Sequence, residues 1–356
     1  MRKIAIAAAF FFQFAVLFYM AAQREYIVLT GKTVYLRTAP IDPNDPFRGQ
    51  FVRLNYEISS IPKDCLKDVS FTKSPGYDSY GYNGKKGEII YSVLKDGGNG
   101  IMKLDYCTSK KPESGIFIRG RTDYWRGSSS GVLYVKYGIE SYFVQEGRGK
   151  EIEEKAGNRN SIQIPMEMEI ALSPSGTAVV KGFRWSPLGI GITIVESPPR
   201  RNWTNNNQDN QPKDDKNARK SIKIKLTLQN NSDKAIGIIN LPDSKSFSFE
   251  PVLWAQQKFS PAVKFDSAII PTDEDVIVLE PGGKFDCEID FSEPRWFVET
   301  EKGKMEIGLI ENQWQNMFRI VYRPPSVEQC KRLEKNQMVW HGFLQSRAFS
   351  GAGSID

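Results

Sequence analysis

The sequence predicts a mostly β protein: one N-terminal transmembrane helix, then a β-rich domain, then an immunoglobulin-like β-sandwich domain. Three observations carry that prediction. Residues Ile4 to Ala22 form a run of 19 residues without a charge, interrupted only by the polar Gln13. Behind it, short runs of β-branched and aromatic residues alternate with polar ones and are separated by Gly, Pro, Asn and Asp clusters, the pattern of half-buried strands and their turns. The composition is globular, 40% hydrophobic, 12% aromatic and 25% charged, in 356 residues. That fits an anchor and two domains, with disorder at most local. The expected divisions are a membrane anchor over 1–24, a β-rich domain over 25–183, and an immunoglobulin-like domain over 184–356 carrying a polar loop over 198–220.

The anchor is read from its length, because 19 apolar residues can span a bilayer. A cleaved signal peptide has an apolar core of about 7 to 15 residues and a small-x-small site behind it. Here Tyr19 and Met20 stand two positions before Ala21 and Ala22. Arg2, Lys3 and the amino terminus precede the helix, whereas Arg24 and Glu25 behind it nearly cancel, so the positive-inside tendency keeps the short tail in the cytoplasm and the bulk of the chain outside. The net charge of +6 is spread among acidic residues and not collected in blocks, which argues against a nucleic-acid partner.

Tyr26 to Leu29 and Thr33 to Thr38 read as short strands flanking Gly31. Pro40 to Gly49 then packs three prolines and two aspartates into a rigid loop. Its exit, Gln50 to Ile58, places Val52, Leu54, Tyr56 and Ile58 on one face and Arg53, Asn55 and Glu57 on the other, as in a half-buried strand.

These residues resemble a family of bacterial membrane-anchored proteins named for the motif GDYXXLXY, whose biochemical role is not established. Gly49, Phe51, Leu54 and Tyr56 stand at motif positions, behind Pro40, Asp42-Pro43, Asp45-Pro46 and Arg48-Gly49. A second family-like block runs from Lys136 to Gly149, including Tyr137, Gly138, Glu140 and Glu146, with Glu151 and Glu153 behind it. The resemblance covers roughly residues 1 to 183. It departs from the motif at Gln50, where the family has Asp, and at Phe51, where it has Tyr, so an acidic catalytic or metal role there has no side chain to rest on. The resemblance implies a membrane-anchored protein with an integral membrane protein as partner.

Glu88 to Lys95, Gly115 to Arg121 and Gly131 to Tyr137 continue the β pattern, and Met166 to Leu172 with Thr177 to Phe183 flank the turn Ser173-Pro174-Ser175-Gly176. Lys150 to Ala156 reads as one or two helical turns. In the second half, Gly189 to Glu196, Ser221 to Gln229, Val276 to Leu279 and Phe285 to Phe291 read as strands, and their spacing suggests the immunoglobulin-like sandwich. Ser326 with Gln329 makes a capping box for a short helix before a last strand over Val339 to Leu344.

Candidate chemistry is sparse. His341, the single histidine, sits beside Trp340 without the clustered partners of a metal or triad site, so no metal and no cofactor are expected. Asp42, Asp45, Glu140, Glu146, Glu151 and Glu153 supply carboxylates, but no spacing matches a calcium loop. Arg48, held between prolines and Gly49, is the polar side chain best placed to bridge carboxylates. Cys65 with Cys107 and Cys287 with Cys330, spaced 42 and 43 residues apart, allow one disulfide per domain. Each is worth about 4 kcal/mol in the chain-entropy model. Four buried thiols are the alternative.

Three function classes follow: an envelope accessory or binding protein beside an integral membrane protein, a membrane-bound hydrolase of signal-peptidase-like layout, and a surface module in which Tyr77, Tyr80 and Tyr82 stack on glycans. Against the second, no serine lies between the anchor and Gly49.

Overall fold

The computed structural model describes residues 2–38, 51–69, 71–73, 80–82, 84–98, 100–126, 132–143, 152, 155, 162–197, 221–252, 259–263, 269–310 and 316–355. The chain divides into two compact units, the first comprising Met1–Gly127, Gly131–Gly149 and Met166–Trp185, the second Ser128–Ser130, Lys150–Pro165 and Ser186–Asp356. The loop Pro40 to Gly49, Glu146, Tyr77 and the polar stretch 198–220 lie outside the described residues; of Lys150 to Ala156, Ile152 and Lys155 are described and are helical.

Unit 1 opens with α1 (Arg2–Thr30), a helix of 29 residues. Phe11, Phe12, Leu17 and Phe18 on it are exposed. Among the described residues no helix is long and apolar enough to cross a membrane; the side chains of Arg2, Ala5, Ala7 and Ala8 lie outside that set. The strand expected over Tyr26 to Leu29 is instead the last turn of α1. Once a helix is nucleated, each further residue adds a hydrogen bond at a propensity cost of only a few tenths of a kcal/mol, which about four β-formers cannot offset. Thr30 Oγ1 donates to the Tyr26 carbonyl at 2.8 Å. Ile27 is buried where the helix meets the sheet. Gly31 ends α1, donating its amide to the Ile27 carbonyl at 2.8 Å, and a Cβ there would lie 2.5 Å from that same oxygen. Only glycine lets the helix pass into a strand in one residue at this spot.

The strands of unit 1 are β1 (Lys32–Arg37), β2 (Phe51–Arg53), β3 (Ser60–Pro62), β4 (Leu66–Lys67), β5 (Phe71–Lys73), β6 (Tyr80–Tyr82), β7 (Ile89–Asp96), β8 (Ile101–Thr108), β9 (Ile116–Arg126), β10 (Val132–Lys136), β11 (Ser141–Phe143), β12 (Met166–Leu172) and β13 (Ala178–Trp185). Nine of these form one curled sheet in the order β13-β12-β1-β8-β7-β9-β10-β3, with β4 on the same edge of β8 as β1. Strands β2 and β11 pair separately, as do β5 and β6. Three neighbouring strands place Arg37, Glu167 and Arg184 in register. The fully buried Glu167 carboxylate accepts from Arg37 Nη2 at 3.2 Å and from Arg184 Nε at 2.7 Å, and the Arg184 guanidinium lies 3.7 Å over the Tyr35 ring. A buried carboxylate is tolerated because two guanidinium groups neutralise and hydrogen-bond it.

Unit 2 contains β14 (Leu188–Glu196), β15 (Lys223–Asn230), β16 (Ile236–Ile239), β17 (Phe247–Val252), β18 (Ser260–Pro261), β19 (Val276–Leu279), β20 (Lys284–Asp290), β21 (Val298–Thr300), β22 (Gly303–Met305), β23 (Met317–Tyr322), α2 (Val327–Cys330), β24 (Leu344–Gln345) and β25 (Phe349–Ser350). Among the described residues these strands fall into four small antiparallel sheets: β14-β15-β20, β16-β19, β17-β23 with β24 and β25, and β18-β21-β22. Ile224, Leu226 and Leu228 of β15, with Ile222 just before it, are buried in one apolar core with Phe247, Phe249, Phe318, Ile320 and Tyr322. Ser326 caps α2 by the expected reciprocal bonds with Gln329. The strand expected over Val339 to Leu344 shrinks to β24, because Trp340 spends its amide on the Gly237 carbonyl and Trp340 to Phe343 carry no ladder.

Glu167→Ala leaves two guanidinium groups facing a buried void and should lower the unfolding free energy of the full chain by about 3–5 kcal/mol. Urea denaturation followed by tryptophan fluorescence measures it. Gly31→Ala forces a Cβ into the Ile27 carbonyl and should cost about 1–3 kcal/mol in the same assay.

Candidate functional site

The two sequence blocks singled out above come together in unit 1. Strand β2 runs antiparallel to β11, pairing Phe51 with Phe143, Val52 with Tyr142 and Arg53 with Ser141. Strand β3 runs antiparallel to β10, pairing Ser60 with Tyr134 and Pro62 with Val132. Arg53 and Ser60 are seven positions apart, as are Tyr134 and Ser141, so both ladders share one register. Between them the 3-10 turn Glu57–Ser59 breaks the ladder. Gln50 to Ile58 is thus not the single strand its alternation suggests. Leu54, Tyr56 and Ile58 are buried and Asn55 exposed as that pattern requires, but only β2 lies in a ladder; Tyr56 is extended and forms an isolated antiparallel bridge with Thr38.

Two phenols bridge the break. Tyr56 donates to the Ile139 carbonyl at 2.9 Å and Tyr137 donates to the Ile58 carbonyl at 2.7 Å. Each tyrosine thereby caps the carbonyl two residues beyond the other, and the Leu54 amide adds a bond to the Glu140 carbonyl at 2.8 Å. Both rings are almost fully buried. Burial, and after it the negative charge of Glu140, pushes the Tyr56 phenol up; burial, and after it Cys107, pushes Tyr137 up. Both stay protonated and act as donors, not as bases.

Glu140 is committed to its own turn: Oε1 accepts from the Tyr137 amide and Oε2 from the Gly138 amide at 3.0 Å. Gly138 has φ +79°, the left-handed conformation that lets successive amides converge on one carboxylate. Behind the tyrosines, Ser92 Oγ lies 2.7 Å from the Tyr137 hydroxyl and 3.0 Å from Cys107 Sγ. Ser92 is not among the candidates its sequence pattern offers. Its one signal is a lone polar residue between Tyr91 and Val93 in an apolar strand, and its partners are tertiary.

Of the sequence candidates, Leu54, Tyr56, Tyr137, Gly138 and Glu140 are brought together here, with the backbone of Phe51. Arg48, Gly49 and Glu146 lie outside the described residues. All four cysteines are thiols. Cys287 packs against the main apolar cluster of unit 2 and Cys330 sits in a separate one with Ile239, Leu241, Leu333 and Val339. His341 Nδ1 lies 3.2 Å from the Pro325 carbonyl and so carries the proton it donates there. Among the described residues no three His, Cys, Asp or Glu side chains form a metal-holding group. A shallow trough in unit 2 is lined by Thr193, Lys225, Thr227 and Asp286. Lys284 lines it as well, and Thr227 and Lys225 hold the Asp286 carboxyl below the usual range.

Residues 13–183 match the model of the GDYXXLXY protein family. No curated protein and no solved structure matches the chain. The matched segment contains both blocks of the paired tyrosines.

Tyr137→Phe removes the donor from a buried carbonyl and should destabilise the full chain by about 1–3 kcal/mol with the urea-dependence slope unchanged. An unchanged midpoint by far-UV circular dichroism would show that water takes the place of the phenol.

Proposed function

We propose, taking residues 13–183 as a GDYXXLXY-family segment, that this chain is a membrane-tethered extracytoplasmic accessory or binding protein. Helix α1 anchors it, and its β units meet an integral membrane protein beside that anchor. The observation that carries the reading is the join at Gly31. The uncharged run Ile4 to Ala22 lies wholly within α1, and α1 passes into β1 with no linker. At about 1.5 Å per residue the uncharged run alone is roughly 28 Å long, close to the roughly 30 Å of a bilayer core. Phe10, Phe11, Phe12, Phe14, Leu17 and Phe18 are exposed, a surface suited to lipid tails or to another apolar helix. Arg2 and Lys3 before the run support a cytoplasmic amino terminus.

Direct docking of the helix end keeps the β units at the bilayer surface, which raises their effective concentration toward a membrane partner. Commitment of the paired phenols and of Glu140 to backbone groups favours a binding role over acid-base catalysis. We also read unit 2 as immunoglobulin-like, supported by β14-β15-β20 and β17-β23 contributing to one apolar core.

Expressed at low level in a bacterial host, the full chain should remain in the membrane pellet after carbonate washing, while a chain lacking residues 1–24 should move to the supernatant. Crosslinking of detergent-solubilised full chain from its native membrane should then recover one polytopic protein. Release of the full chain by carbonate overturns the anchor, and recovery of no membrane protein overturns the partnership.

A further inference from the structure

We propose that α1 pairs in parallel with the α1 of a second copy of this chain, along the seam Ile6, Ala9, Gln13, Val16 and Met20, with the two Gln13 amides bonded to each other at mid-membrane. The inference rests on the anchor reading given above and adds to it the partner of the helix itself.

Gln13 is the polar interruption of the uncharged run, and it stands nine residues after Ile4 and nine before Ala22. When that run spans the hydrocarbon, Gln13 lies at its midplane, where no water reaches an amide and one without a partner is costly. The Gln13 side chain is exposed and has no hydrogen-bond partner among the described residues. Its own helix offers none, since the neighbours three and four residues away, Ala9, Phe10, Val16 and Leu17, are apolar.

Positions 6, 9, 13, 16 and 20 alternate spacings of three and four, the a/d seam of a left-handed helix pair. Ile6, Ala9, Gln13, Val16 and Met20 are all exposed. Ile27, further along the same series, is buried where α1 meets the sheet, so this side of the helix already faces protein at its far end. At about 100° per residue, Phe11, Phe12, Phe14 and Phe18 lie roughly 100–160° from Gln13, which leaves their bulky rings to lipid. Ala9, one turn before Gln13, is small enough to let two backbones approach.

Two properties of Gln13 select a second copy over another apolar helix. A side-chain amide carries donor hydrogens and an accepting oxygen, so two identical amides satisfy each other. Copies inserted in the same orientation hold Gln13 at the same depth, so a two-fold axis along the bilayer normal brings the pair together. A polar residue at a single a position also fixes the register of such a pair.

The test uses the full chain in bacterial membranes, with Val16→Cys on the seam and Phe11→Cys on the opposite face. Each is briefly oxidised with copper phenanthroline and run on non-reducing gels beside the unsubstituted chain. The expected result is a band at twice the chain mass from Val16→Cys, absent from Phe11→Cys and from the unsubstituted chain. Adding Gln13→Leu to Val16→Cys should raise the expression level needed for half linkage by roughly 3- to 30-fold. Gln13→Asn should keep the linkage, and both variants should stay in the carbonate-washed pellet. Equal linkage through Phe11→Cys, linkage unmoved by Gln13→Leu, or no linkage of a chain that stays in the pellet each overturn the pairing alone. A link to a protein of another mass in place of the homodimer gives the seam to a different partner and overturns it too. Release of the chain from the pellet overturns the anchor, and the pairing with it.

Discussion

The reciprocal pair of tyrosine hydrogen bonds is the constraint on which the first unit depends. A ladder that pairs β3 with β10 must continue into β2 and β11 across a 3-10 turn that offers it no backbone partners. Without substitutes, the Ile58 and Ile139 carbonyls would be buried without a donor, a cost of about 1–3 kcal/mol each. Tyr56 and Tyr137 supply those donors from opposite sides, 83 and 79 residues away in the chain. The register therefore survives the break, and a one-residue slip, which would turn every side chain to the other face, is opposed from both ends. Everything between the blocks, β3 through β10, is closed by this pairing.

This gives the sequence motif a physical meaning. Leu54 and Tyr56 are buried alternate residues, Tyr56 is a donor, and the segment's amide at Leu54 reaches the second block at Glu140. Glu140 and Gly138 shape the turn that presents the Ile139 carbonyl to Tyr56. The candidate ligand side chains Tyr56, Tyr137 and Glu140 are thus committed to backbone groups of the fold.

Much of this was legible in the residues and some of it was not, for definable reasons. The alternation through Leu54, Tyr56 and Ile58 gave the correct buried face, because burial follows side-chain period whether or not the backbone stays in a ladder. The 3-10 turn was hidden for that same reason. The strands on either side of Ser173-Pro174-Ser175-Gly176 stand at β12 and β13, where local turn chemistry decides the structure. Tyr26 to Leu29 misled because their β propensity is weaker than the helix already running into them. Ser92, the Arg37-Glu167-Arg184 cluster and the pairing of β4 with β8 depend on contacts between strands far apart in sequence, which no local pattern encodes.

The most direct measurement of the central claim is native-state hydrogen exchange at the Leu54 amide, which donates to Glu140 beside the paired phenols. If the tyrosine pair locks the sheet register, that amide should exchange only with the opening that also exposes β7 and β8, so its opening free energy should equal theirs. Exchange at Leu54 by small local openings, while β7 and β8 stay protected, would contradict the account and reduce the paired tyrosines to a decoration on a sheet that holds itself.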